Sequence, residues 1–165
     1  MLKKEDITIH FRSKIDASLR ERLERIFFFN WNQSRYASRI TQSVKEYSKP
    51  VIAGEGDDEI ALVFKDSAIG QTLHIFDSAA PDAALIGVVM YERDSPEQIT
   101  IIHLALHETC KEIFKKENVN IAAVVLEELF TLFRKIKGVN RVRIYYTNRT
   151  VKLKAVVPAK VRVVL

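Results

Sequence analysis

The residues best suited to chemistry lie in the phrase ITIIHLALHE, where His103 and His107 are four positions apart and Glu108 follows. The phrase is rich in β-branched residues, so we interpret it as a strand, on which four positions span roughly 13 Å. One metal ion cannot bridge that distance, and we predict no metal site. Either His103 or Glu108 could instead take a proton as a general base, although a histidine in an apolar run is also a common core residue.

Two further side chains invite a catalytic interpretation. Tyr145 and Tyr146 point to opposite faces of the predicted strand VRIYYT, so only one of them could reach a cleft and act as a general acid. We choose Tyr145 as the candidate. Packing is the alternative role for each tyrosine. Cys110 stands three positions after His107, but nothing else in the sequence supports a cysteine nucleophile.

A second group of residues, 115–122, combines two lysines and two asparagines ahead of a long apolar helix. The first turn of a helix has main-chain N–H groups without intrahelical partners and carries the positive end of the helix dipole, so it attracts anions. Asn118 and Asn120 can each cap that helix or adopt the left-handed conformation that glycine usually supplies. Lys115 and Lys116 would meet a phosphate as point charges, or lie on an ordinary solvated loop.

These residues need a strand, a connection and a helix to position them, and the stretch Ile99–Lys137 supplies all three. The apolar run ITIIHLALH predicts a strand buried on both faces, and ETCKEIFKKENVN predicts a charged connection. The long apolar run IAAVVLEELFTLFRKIK predicts a buried helix that ends at Gly138. The chain is therefore organised around one strand, one loop and one helix.

The rest of the chain predicts an α+β sheet with a few helices. ITIHF has the alternation of a strand, and the spacing of Ser18 and Glu21 predicts a capping box for a helix over Ala17–Phe29. A second amphipathic helix ends before Pro50. An antiparallel meander follows in EIALVF, TLHIF and ALIGVVMY, and VRIYYT, KLKAVV and KVRVVL finish the chain as strands.

Length and charge limit the classes of function. With 165 residues and no Pro-rich or Gly-rich linker, the chain predicts a single domain over residues 1–165. The sequence contains no apolar run long enough to span a bilayer and no signal-peptide pattern, so we expect a soluble cytoplasmic protein that does not bind membranes. Residues 1–50, 51–110 and 111–165 carry net charges of +5, −9 and +9. A basic last third suits a phosphorylated cofactor or nucleic acid, unless its charges are simply neutralised on folding.

At the level of pattern, most of the chain resembles the GNAT superfamily of N-acetyltransferases. IGVVMYERD followed by ITIIHLALH is similar to the third and fourth strands of that family, and Leu104–His107 resembles the phrase that ends the fourth strand. The family's loop Q/R-x-x-G-x-G/A is matched by Lys115–Asn120, with asparagine at both glycine positions. The resemblance implies a mixed, mostly antiparallel sheet of about seven strands flanked by about three helices.

The resemblance also implies an activity: transfer of acetyl from acetyl-CoA to an amine or peptide acceptor. It assigns the pantetheine arm and the pyrophosphate of acetyl-CoA to Leu104, Ala105, Leu106, Lys115, Lys116, Asn118, Val119, Asn120, Ile121 and Ala122. It places Trp31, in the phrase FFFNW, in the acceptor pocket, although packing of a helix on the sheet explains the phenylalanines of that phrase equally well. In the family a helix after the fifth strand often carries the tyrosine acid, whereas YYTNRTVKLKAVV passes directly into a strand.

Two alternatives remain open. The chain could keep the fold but serve as a binding or dimerisation module without transferase activity, and a homodimer is compatible with either function. Nucleic-acid binding through the basic last third ranks lowest, because few aromatic residues beyond the two tyrosines are placed to stack on bases.

Overall fold

The computed structural model describes residues 6–28, 37–54, 56–77 and 84–154. Within them the chain forms nine strands and four α-helices. In chain order these are β1 (Ile9–Arg12), β2 (Ile15–Asp16), α1 (Arg20–Phe27), α2 (Ala37–Tyr47), β3 (Pro50–Ala53), β4 (Glu59–Phe64), β5 (Gly70–Asp77), β6 (Ala84–Ser95), β7 (Gln98–Leu106), α3 (Glu108–Lys116), α4 (Ile121–Arg134), β8 (Arg141–Ile144) and β9 (Arg149–Lys152).

The strands form two sheets. The main sheet has six strands in the order β1-β5-β6-β7-β8-β9, and a small sheet has the order β2-β4-β3. All strand pairs are antiparallel except β7 with β8, which are joined by the crossover through α3 and α4. The predicted α+β class with a mostly antiparallel sheet is therefore confirmed, although the strands are divided between two sheets and the described helices number four.

A hydrophobic core lies on each face of the main sheet. On one face the apolar side of α4 packs against β6, β7 and β8, with Val125, Leu129 and Phe133 fully buried. On the other face α1 and the small sheet pack over β5, β6 and β7, with Leu23, Ile26 and Leu62 fully buried. The main sheet is thus buried on both faces, which explains the near-continuous apolar sequence of β7.

The charged connection predicted between β7 and the long helix is itself a helix, α3, so that prediction is wrong. His107 caps its first turn by accepting a hydrogen bond from the Thr109 N–H at 3.2 Å, and two lysines lie in its last turn. Phe114 is the one buried residue of α3, and it packs in the same core as α4. One buried residue in nine gives a weak apolar period, which is why the sequence reads as a loop.

The first helix begins later than predicted, and its cap is a different residue. Asp16, rather than Ser18, supplies the capping oxygen, which accepts from the Ser18 N–H at 2.8 Å and opens a 3-10 turn over Ala17–Leu19. The α-helix proper starts at Arg20. The predicted end of this helix, at Phe29, lies outside the described residues. The same is true of the predicted strand KVRVVL and of the end of KLKAVV.

No helix in the described ranges is both long enough and apolar enough to cross a bilayer.

Candidate functional site

The turn between α3 and α4 is built by two asparagines. Asn118 has a φ of 58°, in the left-handed region, and its N–H donates to the Lys115 carbonyl at 3.1 Å. The N–H of Val119 donates to the Phe114 carbonyl at 2.8 Å. These two bonds form the Schellman motif that closes many helices, with asparagine in the position usually held by glycine. The backbone role predicted for Asn118 is therefore present, at the end of α3.

We expect Asn118→Ala to destabilise the protein by about 1 kcal/mol, because alanine has a Cβ atom and no polar side chain to support a left-handed backbone. Asn118→Gly should change the free energy of unfolding by only a few tenths of a kcal/mol, since glycine adopts this conformation without strain. Urea denaturation followed by circular dichroism measures both values. Equal losses in the two variants would contradict the assignment of strain to this residue.

Asn120 caps the start of α4, as its position predicts. Its side-chain Oδ1 accepts a hydrogen bond from the Ala123 N–H at 3.2 Å, and its own φ of −84° is outside the left-handed region. The main-chain N–H groups of Ile121 and Ala122 have no hydrogen-bond partner among the described residues. Two N–H donors of the first turn therefore remain for a ligand at the positive end of the helix dipole.

These residues line a cleft of about 410 Å³. It brings together six of the residues that the sequence assigns to the cofactor, and adds Lys111. Lys116, next to Lys115, does not line it. Lys111 escaped the sequence analysis because only the helical conformation of α3 places it one turn before Lys115, on the same face. The full lining is Lys111, Lys115, Asn118, Val119, Asn120, Ile121 and Ala122.

The second feature of the crossover is a gap beside the end of β7. The register of β7 with β8 runs only from Gln98 to Ile101, and one more bond joins the Tyr145 N–H to the Ile101 carbonyl at 2.9 Å. From Ile102 to Leu106, β7 has no strand on its β8 side within the part of the chain that the structure describes. Since β8 ends at Ile144, opposite Ile101, β7 is unpaired on that side at the level of Leu104, while β6 continues to pair with β7 on the other side.

The three residues predicted to hold the pantetheine arm are at this gap. The side chain of Leu106 is buried and that of Leu104 is half-buried, both in the core that contains α4, whereas Ala105 is buried on the opposite face. None of the three lines the 410 Å³ cleft. The gap beside β7 and the cleft at the start of α4 both belong to the crossover, but they share no lining residue.

His103 is buried beneath α1 and α2. Its Nε2 lies 3.0 Å from the Ser43 hydroxyl oxygen, and its ring meets the Phe27 ring edge-on at 5.6 Å between centroids. Because the Ser43 hydroxyl donates its single proton to the Ile40 carbonyl at 2.8 Å, it accepts from His103. Burial lowers the pKa of His103 to about 4, so the ring is neutral at pH 7. The serine, 1% exposed, is closed to any substrate.

Tyr145 also lies under α2, where its hydroxyl donates to Oε2 of Glu46 at 2.9 Å. Its ring meets the Tyr47 ring edge-on at 5.4 Å, and its carbonyl accepts from Nη1 of Arg39 at 3.4 Å. Burial, followed by the hydrogen bond to Glu46, raises the pKa of Tyr145, so the phenol keeps its proton at neutral pH. Ser43 and Glu46 are partners that sequence reasoning missed, because each lies beside the apolar positions of α2.

The remaining predicted residues are separate from these groups. Glu108 is the half-exposed first residue of α3. Trp31 lies outside the described residues. Among the residues that the structure describes, no three histidine, cysteine, aspartate or glutamate side chains converge as a metal site would require.

A scan against models of protein families found no match for this chain, and searches of curated proteins and of solved structures found none either.

Proposed function

We propose that this chain is a GNAT-like acyltransferase that moves acetyl from acetyl-CoA to an amine acceptor. The observation that carries the proposal is the end of β7 beyond Ile101, which is unpaired on its β8 side because β8 ends at Ile144. In the family that the sequence resembles, a splayed fourth strand leaves a gap for the pantetheine arm, and here the short β8 leaves a gap beside the fourth strand. The end of β7 offers its main chain at the same place.

The strand order supports the same interpretation. Counted along the main sheet from β1, the strands β6 and β7 are third and fourth, as the resemblance implies for IGVVMYERD and ITIIHLALH. The fifth strand, β8, is parallel to the fourth and follows a helical crossover. The small sheet formed by β2, β3 and β4 is an addition that the resemblance does not imply.

The cleft at the start of α4 fits a pyrophosphate by its donors. The free N–H groups of Ile121 and Ala122, together with the ammonium groups of Lys111 and Lys115, are the donors that an anion needs. This cleft offers fewer free main-chain N–H groups than the glycine loop of the family would. The N–H of Val119, like that of Asn118, is already bonded to a carbonyl of α3.

Bound acetyl-CoA would supply the acetyl thioester, and the remaining chemistry is proton transfer. Glu108 is the more accessible of the two candidate bases, since it is half-exposed whereas His103 is 8% exposed. Tyr145 keeps its proton and is the candidate acid for the departing thiolate, although in this structure it is 5% exposed and its hydroxyl donates to Glu46.

Isothermal titration calorimetry with CoA tests the proposal. We expect saturable binding by the wild type, and about tenfold weaker binding by Asn120→Asp, which sets a carboxylate beside the phosphates. Aspartate caps helices as well as asparagine does, so this variant should keep its fold. Asn148→Asp is the matched control, because Asn148 lies in the β8–β9 turn and does not line the cleft. Absence of binding by the wild type at millimolar CoA would refute the proposal.

A second candidate function is a binding or dimerisation module that keeps the fold without transferase activity. The bonds that occupy the N–H groups of Asn118, Val119 and Ala123 favour it, because they leave fewer donors for phosphate. Thiol release from acetyl-CoA in the presence of a panel of amines separates the two functions. The module predicts no release with any amine, and the transferase predicts release that depends on both substrates.

A further inference from the structure

A second cleft, of about 260 Å³, lies at the opposite end of α3 from the one described above. One face of α1 forms one wall, and the junction of β7 with α3 forms the other. Its lining is Ser18, Glu21, Arg22, Arg25 and His107. The proposed acyl transfer uses none of these residues.

Arg22 is the central group of this cleft. Its side chain is half-buried, its Nε donates to the Leu85 carbonyl at 2.6 Å, and its Nη2 lies 3.9 Å from Sγ of Cys110. Among the described residues, no carboxylate oxygen lies within ion-pair distance of this guanidinium. A partly desolvated cation without a counter-ion is unfavourable, and an anion in the cleft would offset that cost.

Two more donors face the same space. Arg25 pairs with Glu21 through a single contact, Nη2 to Oε1 at 2.8 Å, which leaves the other N–H groups of its guanidinium for a ligand. His107 accepts a hydrogen bond at Nδ1 from Thr109, so the neutral ring carries its proton on Nε2. Burial, followed by the nearby charge of Arg22 and, less strongly, that of Arg25, lowers the pKa of His107 against an opposing effect of the Glu108 carboxylate. Both guanidinium groups line the same cleft as the ring.

We propose that this cleft, formed by Arg22, Arg25 and His107, binds a phosphate group, either as the free dianion or as a small phosphomonoester. Two guanidinium groups and an imidazole N–H match the several acceptor oxygens of a phosphate better than the two of a carboxylate. The volume leaves room for a small organic substituent on the phosphate. The inference does not depend on acetyl-CoA binding.

Calorimetric titration of the full chain with inorganic phosphate and, separately, with glycerol phosphate tests the proposal. We expect saturable binding of at least one of the two, and the tighter of them identifies the source of the phosphate. Arg25→Gln should weaken binding about tenfold, and His107→Asn about fivefold. Asparagine keeps the cap of α3 through Oδ1, so the helix should remain intact, but its shorter side chain places no donor at the position of Nε2.

Two control variants make the result specific. Arg20→Gln removes a guanidinium from the same helix, one that pairs with Glu24 and does not line the cleft, and it should leave the affinity unchanged. Lys115→Gln alters the proposed pyrophosphate cleft at the other end of α3, so it should weaken only phosphate binding at that cleft and leave the Arg25-dependent affinity unchanged. Loss of affinity in Lys115→Gln with none in Arg25→Gln would assign the phosphate to the other cleft and overturn the proposal. Absence of binding by the wild type to either probe would overturn it as well.

Discussion

Replacing Phe133 with alanine should lower the free energy of unfolding by about 3–5 kcal/mol. The Phe133 ring is 0% exposed, and it packs against Tyr91 at 5.0 Å between centroids, so α4 is fixed to β6 at this point. Truncation to alanine removes apolar contact area and leaves a cavity that the surrounding strands cannot fill. Chemical denaturation in urea should therefore show a much lower midpoint with an unchanged dependence on urea concentration.

Phe133→Leu is the matched control, because it keeps most of the volume and should cost less than about 1.5 kcal/mol. A loss below about 1 kcal/mol in Phe133→Ala would mean that α4 is not fixed by this ring. The first turn of α4 carries the proposed phosphate donors, so CoA binding by the folded fraction of Phe133→Ala should also be measured. It should be close to that of the wild type, because the cleft is at the other end of the helix.

The features that sequence predicts well here are those fixed by local chemistry. The apolar run from Gln98 to Leu106 is a strand, and that from Ile121 to Arg134 is a helix, because each buries most of its length in a core. Asn118 and Asn120 adopt the two roles predicted from their residue type, one in a left-handed turn and one as a helix cap. Six of the predicted cofactor residues consequently line one cleft.

Features that depend on distant pairing were not predictable. Ser43 is 60 positions from His103 and Glu46 is 99 positions from Tyr145, yet each pair forms a hydrogen bond. No local pattern in α2 reveals those partners, since both residues are polar and each stands beside an apolar, half-buried position. The division of the strands into two sheets has the same origin, because alternation predicts a strand but not which strand it pairs with.

His74 shows how closely the two sheets are tied together. It lies on β5 of the main sheet and is 0% exposed. Its Nε2 accepts from the Leu62 N–H of the small sheet at 3.2 Å, and its Nδ1 lies 3.0 Å from the Arg12 carbonyl of β1. An N–H donor on one side and a carbonyl on the other allow only the neutral ring protonated at Nδ1. Burial lowers the pKa of His74 accordingly, against a smaller opposing effect of the Arg12 carbonyl.

The second large effect follows from His74 and His103 together: the protein should lose stability as pH falls below about 6.5, the ordinary pKa of histidine. Both rings are neutral in the folded state and have lowered pKa values there. A base whose folded pKa is depressed contributes stability that is fully present above its unfolded pKa and is lost as pH falls toward the folded value. For His103 that window runs from 6.5 to about 4.

The expected loss from His103 alone is about 3 kcal/mol at pH 4, since each pH unit across the window corresponds to about 1.4 kcal/mol. His103→Gln isolates this contribution, because an amide can donate to the Ser43 hydroxyl in place of Nε2–H but does not titrate. The variant should be less stable than the wild type at pH 7 and should lose less stability on acidification. His74 remains in both proteins, so the difference between their pH profiles belongs to His103.

The measurement is the free energy of unfolding from urea titrations at several pH values between 7 and 4. Parallel profiles for wild type and His103→Gln would show that the ring is not neutralised by burial and would place α2 differently over β7. That outcome would also bear on the proposed chemistry, because a His103 with an ordinary pKa would be a better base at neutral pH than the buried ring is. Converging profiles would instead leave Glu108 as the candidate base and His103 as the residue that fixes α2 against the sheet.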